Sequence, residues 1–243
     1  MTKKILIIGC PGPKANYLPG VPIDMQKYQD FFLSNYGGAW YSSEIILLKN
    51  PNRMELLKIM NWIHNQTLDH SIVVFSGHGW ETVNGRTKLL LRDDEECFLK
   101  ELDTKARRQL RIIDSCRAID YEQTRFDERL HVSKALSGDE IDISKIFRRK
   151  YEQIISKCEN GISTLYACSI NETAGENENG GYFSPALIEI GLSVMKKRNS
   201  YFDIRTVLDG TKNFIEDHFE DASQNPTMNI ERRINYFPWS LSL

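Results

Sequence analysis

Two residues with side chains suited to nucleophilic catalysis each follow a short apolar segment. His78 lies in the sequence SGHG after one such segment, and Cys116 lies in DSCR after the next. A thiolate can attack a carbonyl carbon, and a nearby imidazole can accept a proton and deliver it to a leaving amine. The two residues are therefore candidates for a cysteine–histidine pair that breaks an acyl bond.

The residues beside this pair favour the same chemistry. Glycines on both sides of His78 would let a substrate approach the backbone, and the amides of Gly79 and Cys116 could hold a developing oxyanion. A helix that starts after Cys116 would lower the pKa of the thiol. Taken singly, each residue has an ordinary alternative, because a cysteine after a buried strand is usually a small buried hydrophobe and a loop histidine is usually solvated.

Five short apolar segments must position these residues. They are rich in β-branched residues and apolar on both alternating faces, which is typical of a parallel sheet with helices on both faces. Their bounds are Lys4–Gly9, Glu44–Leu48, Ser71–Gly77, Gln109–Ser115 and Ile162–Cys168. If the third and fourth segments are neighbouring strands, their ends lie about 5–10 Å apart, since adjacent strands are spaced by about 4.8 Å.

Amphipathic stretches between and after these segments predict helices. They are Ile23–Asn35, Asn52–Asn65, Ile141–Cys158, Tyr182–Met195 and Ile204–Phe219. The alternation predicts an α/β fold with an open, mostly parallel central sheet wound by right-handed crossovers. We see no sign of a second core, and we predict a single domain over residues 1–243.

Two segments interrupt this alternation. Residues 117–160 form a charged insertion that is long for a simple crossover and that begins as a loop before its helical second half. Residues 171–181, with the sequence NETAGENENGG, form a polar, glycine-rich loop after the fifth apolar segment.

Composition limits the classes of function. The 243 residues carry a formal net charge of -2, with 41% hydrophobic and 26% charged residues, as in an average soluble domain. The lack of a basic excess argues against a nucleic-acid partner, and we find no 18-residue apolar stretch that would cross a membrane.

The five scattered cysteines include no CxxC pair, which predicts a reduced, cytoplasmic protein. The turn GCPGPKAN after the first segment lacks a GxGxxG or P-loop pattern, which argues against a doubly wound small-molecule hydrolase or a flavodoxin-like binder.

The blocks FSGHG (75–79) and DSCR (114–117) resemble the histidine and cysteine blocks of the caspase-like cysteine peptidases of family C14. The DSC form is that of metacaspases, whereas Asp-specific caspases carry a QAC-type block. Further stretches agree, and the resemblance covers about residues 4–240. These stretches are GVPID (20–24), YACSINET (166–173) with the GYFS that follows it, and the tail from Gln224 to Pro238.

The resemblance implies a caspase-like fold in which Cys116 is the nucleophile, His78 is the general acid and base, and the amides of Gly79 and Cys116 form the oxyanion hole. It also implies an acidic specificity pocket, lined by Asp24 and Asp114, that accepts Arg or Lys before the scissile bond. A carboxylate pair facing a guanidinium gives a charge-assisted, bidentate contact. Asp24 could instead be a helix-dipole residue, and Asp114 a turn acceptor.

The sequence departs from metacaspases near the nucleophile. Arg117 stands where metacaspases more often have histidine, and the stretch from His78 to Cys116 is shorter than usual. The acidic residues Asp93–Glu96 and Asp120 leave calcium binding open, although their spacing does not support it and a solvated turn also explains the cluster. We expect no resident metal or other cofactor.

These features predict a cysteine endopeptidase that cleaves protein or peptide substrates after Arg or Lys. Basic residues in 117–160 would allow self-processing between a large and a small part, although an ordinary charged insertion also explains them. By analogy with the family, the enzyme would act in a bacterial defence or regulated cell-death response and would answer to a protein regulator. The alternatives are a catalytically silent caspase-fold scaffold and an Asp-specific caspase-like peptidase.

Overall fold

A computed structural model describes residues 1–119, 143–177, 180–219 and 224–243. The helices are α1 (Gly20–Leu33), α2 (Arg53–His64), α3 (Ile143–Ser156), α4 (Phe183–Leu192) and α5 (Ile204–His218). The strands are β1 (Lys3–Cys10), β2 (Ile45–Lys49), β3 (His70–Gly77), β4 (Gly79–Glu81), β5 (Thr87–Leu90), β6 (Glu96–Phe98), β7 (Arg108–Asp114), β8 (Gly161–Tyr166), β9 (Glu176–Asn177), β10 (Gly180–Gly181), β11 (Tyr201–Asp203), β12 (Thr227–Ile230) and β13 (Pro238–Leu241). Short 3₁₀ turns cover Lys14–Asn16, Ser42–Glu44, Arg92–Asp94, Leu99–Leu102 and Ser193–Lys196.

The central sheet has six strands in the order β12-β8-β7-β3-β1-β2. Strands β1, β2, β3, β7 and β8 are parallel, and β12 runs antiparallel to β8 at one edge. The five parallel strands coincide with the five predicted apolar segments, and the five helices coincide with the predicted amphipathic stretches. The predicted α/β fold with a mostly parallel sheet is confirmed.

Alternating side chains of the parallel strands pack into two hydrophobic cores on opposite faces of the sheet. In β1, Ile5 and Ile7 pack with α1, α3, α4 and α5, whereas Leu6 and Ile8 pack with α2. The α2 side also contains β5, which contributes the buried Leu89. Because helices cover both faces, the strands are apolar at nearly every position rather than at every second one.

Several short strands are not predicted by the sequence pattern. Strands β4, β5 and β6 form an antiparallel sheet, β9 pairs with β10, and β11 pairs with β13. Each has two to four residues, which is too short for an alternating pattern to be recognised. Strand β12 is an edge strand with no buried residue, so it also lacks the apolar signature of the central strands.

The predicted insertion 117–160 is described only in part. Residues 120–142 lie outside the described residues, and so does most of the linker predicted there. The predicted helix Ile141–Cys158 corresponds to α3, described from Ile143 to Ser156. Among the described residues, the helices are all too short or too polar to span a bilayer. All five cysteines are unpaired.

The register between β3 and β7 positions the two candidate catalytic residues. Ser76 pairs with Asp114 where these neighbouring strands end. His78 and Cys116 each lie two residues beyond that pair, so both leave the sheet at its carboxyl edge. The third and fourth apolar segments are therefore neighbouring strands, which is the condition under which the sequence places the two residues close together.

Candidate active site

A cavity of about 100 Å³ lies at the carboxyl ends of β3 and β7. This is where open α/β sheets form their sites. Both candidate catalytic side chains and both candidate pocket carboxylates line it. Its lining consists of Leu18, Val21, Asp24, Ser76, Gly77, His78, Asp114, Ser115, Cys116, Ala174, Gly175, Glu176 and Gly181.

The imidazole of His78 is oriented by the backbone of the segment that follows β1. Its Nε2 atom lies 2.5 Å from the carbonyl oxygen of Asn16. Because a carbonyl oxygen can only accept, Nε2 carries the hydrogen, and Nδ1 is the basic nitrogen of the neutral ring. Gly12 permits the close approach, since its φ is +79° and a Cβ there would lie 2.4 Å from His78 Cδ2. Nothing in the sequence signals this role of Asn16.

The thiol of Cys116 contacts the loop that follows β8. The N–H of Ala174 donates to Sγ at 3.4 Å. Burial raises the pKa of the thiol, the Ala174 amide opposes that rise, and the Asp114 carboxylate adds to it. This raised pKa differs from the lowering expected from a following helix. No helix begins in residues 117–119, and residues 120–142 lie outside the described residues. Formation of the thiolate therefore requires a base.

The amide of Gly79, a predicted oxyanion donor, is not used by strand pairing. Gly79 faces Leu89 between β4 and β5, and Leu90 N donates to His78 O. These bonds make Gly79 and Leu89 a non-hydrogen-bonded pair, so the ladder leaves the Gly79 N–H unused. A Cβ at Gly79 would lie 2.6 Å from Ser115 Oγ, so glycine lets the histidine and cysteine loops meet.

The carboxylate of Asp24 lies in the cavity and is almost completely buried. It accepts hydrogen bonds from Ser76 Oγ at 3.0 Å and from Gly181 N at 3.1 Å. Burial, and next the neighbouring Asp114 carboxylate, raise the pKa of Asp24 to about 8. The helix-dipole alternative is not supported, because no acidic residue lies in the first turn of α1.

The carboxylate of Asp114 joins the end of β7 to the start of α4. It accepts hydrogen bonds from Ser184 N at 3.2 Å and from Ser184 Oγ at 2.5 Å. Burial raises the pKa of Asp114 to about 6, the Ser184 bonds oppose this, and Glu176 adds to the rise. The turn-acceptor alternative therefore describes part of what Asp114 does, while the same carboxylate lines the cavity.

A third carboxylate, Glu176, lines the cavity and was not identified from the sequence. It lies on β9, is partly exposed, and accepts a hydrogen bond from Gly20 N at 3.1 Å. Partial burial raises its pKa. The available signal was its place in the polar loop 171–181, directly after the strand that neighbours the cysteine strand.

The acidic cluster Asp93–Glu96 is engaged in contacts within the protein, and Asp120, the other residue of the calcium hypothesis, lies outside the described residues. Two of its carboxylates form salt bridges, Glu96 with Lys88 at 2.5 Å and Asp93 with Arg92 at 3.3 Å. Calcium requires six to eight oxygen ligands converging on one point. Among the described residues, no group of three or more His, Cys, Asp or Glu side chains could hold a metal ion.

A family model described as the caspase domain matches residues 2–237 of the chain. The protein belongs to the caspase family of peptidases, family C14. The match extends from the first residues of the sheet through β12, and the six-stranded sheet with helices on both faces is the caspase-like fold. A search of the curated proteins found no match to this chain. Membership of the caspase family identifies a cysteine-type peptidase in general and leaves its substrate open.

Proposed function

We propose that this caspase-family protein is a cysteine endopeptidase that cleaves on the carboxyl side of Arg or Lys. The observation that carries the proposal is that one cavity is lined by His78, Cys116 and three carboxylates. The cysteine and histidine are the residue types that acyl transfer needs, and the carboxylates favour a cationic side chain in the substrate.

In the proposed reaction, His78 Nδ1 takes the thiol proton of Cys116, and the thiolate bonds to the carbonyl carbon of the scissile peptide. The amides of Gly79 and Cys116 donate to the resulting oxyanion. The imidazolium protonates the leaving amine, the C–N bond breaks, and a thioester remains. Water that has lost a proton to His78 hydrolyses the thioester and restores the thiol. The Asn16 carbonyl, which accepts from Nε2, stabilises the imidazolium each time it forms, in acylation and in hydrolysis of the thioester.

The specificity pocket in this proposal consists of Asp24, Asp114 and Glu176. Burial and like charge raise the pKa values of the two aspartates. A guanidinium or ammonium placed among them favours their ionised forms, so substrate binding is accompanied by loss of protons from the pocket. Glu176 is the most exposed of the three and meets the approaching charge first.

The same carboxylates disfavour the two alternatives. An Asp side chain in the substrate would add a fourth negative charge to the cavity, so an Asp-specific peptidase fits poorly. A silent scaffold would have no need of an imidazole whose tautomer is fixed by Asn16 beside a thiol in the same cavity.

Matched fluorogenic peptides that end in Arg, Lys or Asp test the proposal, with and without calcium. Wild type should hydrolyse the Arg and Lys peptides, and Cys116→Ala should lower kcat/KM by about 10⁴-fold or more. Turnover of the Asp peptide alone would overturn the basic specificity. Undiminished turnover by Cys116→Ala would overturn the nucleophile.

Several finer expectations stay predictions. Self-processing would occur within 117–160, of which residues 120–142 lie outside the described residues. The cytoplasmic location, the protein regulator and the role in bacterial defence or regulated cell death rest on composition or on family analogy alone.

A further inference from the structure

Arg117, the residue after Cys116, has a buried guanidinium that is held from two sides. Its Nε and Nη2 atoms donate to Glu81 Oε2 at 3.3 and 3.2 Å. Its Cζ atom lies 3.9 Å from the centre of the Tyr166 ring. The Arg117 and Glu81 side chains are only 10% and 4% exposed. Separating the two side chains would leave a buried charge without its partner, which costs free energy. The pair therefore holds the chain segments of Arg117 and Glu81 together.

Glu81 connects this ion pair to the strand that carries the histidine loop. It lies on β4, three residues after His78, and also accepts a hydrogen bond from Thr87 Oγ1 at 3.1 Å. Its backbone N–H donates to Ala118 O at 3.0 Å, and it forms an isolated bridge with Ile119. Strand β4 is therefore attached to the chain directly after the nucleophile by both backbone and side chain.

The backbone of Arg117 reaches a third segment, the loop after β8. Its N–H donates to Glu172 O at 3.0 Å, and its carbonyl oxygen accepts from Asn171 N at 2.9 Å. The same loop supplies the Ala174 N–H that donates to Cys116 Sγ. Arg117 thus lies where the histidine loop, the cysteine loop and the loop that contacts the thiol come together.

We propose that Arg117 is a positioning residue: through its ion pair with Glu81 it holds the Cys116 turn against the strand of His78, so that thiol and imidazole face one another. This inference rests on the proposed peptidase function. The guanidinium acts on Glu81 and Tyr166 rather than on the reacting atoms. Its planar fork binds the carboxylate while its face stacks on the ring, which a lysine side chain would not reproduce.

Arg117→Gln and Glu81→Gln test the proposal in kinetics on the Arg peptide. A displacement of about 1 Å between reacting groups costs on the order of 100-fold, so we expect kcat to fall by about that factor in each variant. The fall should appear in kcat, with KM changed by less than about threefold, because the pair does not bind substrate. The double variant should lose no more than the worse single variant, because one interaction is removed in every case.

Arg148→Gln is the matched control, because it breaks a second poorly exposed arginine–glutamate pair at the opposite end of the sheet. Arg148 and Glu44 are each 13% exposed and lie 2.5 Å apart. This variant should lose as much thermal stability as Arg117→Gln while keeping the wild-type kcat. An equal loss of kcat in Arg148→Gln would mean that Arg117 affects catalysis only through the stability of the fold, and it would overturn the proposal. If Arg117→Gln does not fold, Glu81→Gln alone decides, since a neutral glutamine removes the ion pair with Arg117 but can still accept from Thr87 Oγ1.

Alkylation of Cys116 by iodoacetamide separates this inference from the proposed function, because it needs no substrate. The rate at pH 6–7, followed by peptide mass spectrometry, should fall by about tenfold in His78→Ala and by a similar factor in Arg117→Gln. Wild-type alkylation in Arg117→Gln with slow alkylation in His78→Ala would overturn the positioning role. A wild type that cleaves no peptide would contradict the proposed function, and the alkylation rates would still test Arg117.

Discussion

The two ends of the central sheet bury ionisable side chains in different ways. At the carboxyl end, Asp24, Asp114 and Glu176 lie around one cavity, and like charge adds to burial in raising the pKa values of both aspartates. At the amino end, buried cations are paired with carboxylates and aromatic rings. The two aspartates at the carboxyl end accept hydrogen bonds from neutral donors. At the amino end, the charges of the buried cations are largely balanced by carboxylates within the protein.

In the amino-end cluster, buried positive charges lie close to carboxylates and aromatic rings. The buried Lys3 Nζ lies 3.4 Å from Glu152 Oε1 and 4.2 Å from the centre of the Trp40 ring. Burial still lowers the pKa of Lys3 to about 8, although Glu152 opposes this. Nearby, Arg148 forms its close pair with Glu44. These contacts join α3 to the first strands of the sheet.

Under the proposed function, the amino end of the sheet serves stability and the carboxyl end binds the substrate. Opposite charges at the amino end satisfy one another, so an added ligand would have little to gain there. At the carboxyl end the clustered acids are destabilising until a cation arrives, which is the physical property that a basic-specific pocket requires. Substitutions in the carboxyl-end pocket should therefore change substrate selection, and substitutions in the amino-end cluster should change stability.

The largest effect is expected from Asp24→Asn, which removes one pocket charge and keeps the side-chain shape. Hydrogen bonds to charged groups contribute about 1.5–3 kcal/mol, so kcat/KM for the Arg peptide should fall by about 100-fold. The measurement is a comparison of Arg peptides with peptides that carry norleucine instead. An equal fall for both would show that Asp24 supports the site without selecting a cation.

The same substitution should stabilise the protein at high pH. Between its ordinary value of 3.8 and about 8, Asp24 holds a proton in the folded protein that it loses on unfolding. The free energy of unfolding therefore falls as the pH rises through this window. Asp24→Asn should raise Tm at pH 8, by about 2–4 °C for each kcal/mol recovered, with little change at pH 4. A lower Tm at pH 8 would contradict the claim that the Asp24 carboxylate is an uncompensated buried charge.

A smaller effect is expected from Glu176→Gln. This carboxylate is partly exposed, so solvent and salt screen its interaction with a substrate. The preference for Arg over norleucine should fall by about tenfold at low ionic strength and by less at high salt. Steady-state kinetics at two salt concentrations checks this, and a preference that is independent of both salt and the substitution would remove Glu176 from the pocket.

The smallest effect is expected at the amino end, from Glu152→Gln. The substitution removes the carboxylate that faces Lys3, but Glu152 is 23% exposed, so we expect a loss of about 1 kcal/mol in unfolding free energy at pH 7. The loss should shrink above pH 8, where the amine becomes neutral because its pKa lies at about 8. Peptide hydrolysis should not change. A loss of activity comparable to that of Asp24→Asn would erase the distinction between the two ends.

The sequence predicts the parts of the site that depend on strand order. Buried parallel strands have strong apolar signatures, and His78 and Cys116 follow two of them directly, so both could be placed at one edge of the sheet. Asp24 and Asp114 were identified through the family resemblance and lie in the expected cavity.

The parts that the sequence does not predict depend on contacts between distant segments. The Asn16 group that orients His78 is a backbone carbonyl, which any residue would supply. Glu176 reaches the cavity only because β9 folds back over the start of α1, where Gly20 N donates to it. The ion pair of Arg117 with Glu81 joins residues 36 positions apart, and Glu81 lies in a short antiparallel sheet that has no recognisable sequence pattern.

Covalent labelling with two peptidyl acyloxymethyl ketones, one ending in Arg and one in Asp, tests the central claim most directly. That claim is that one cavity combines the nucleophile with a pocket for a cation. We predict that the Arg probe modifies Cys116 alone among the five cysteines, that His78→Ala and Asp24→Asn both slow the reaction, and that the Asp probe reacts far more slowly. Modification of a different cysteine, or faster reaction with the Asp probe, would contradict the account.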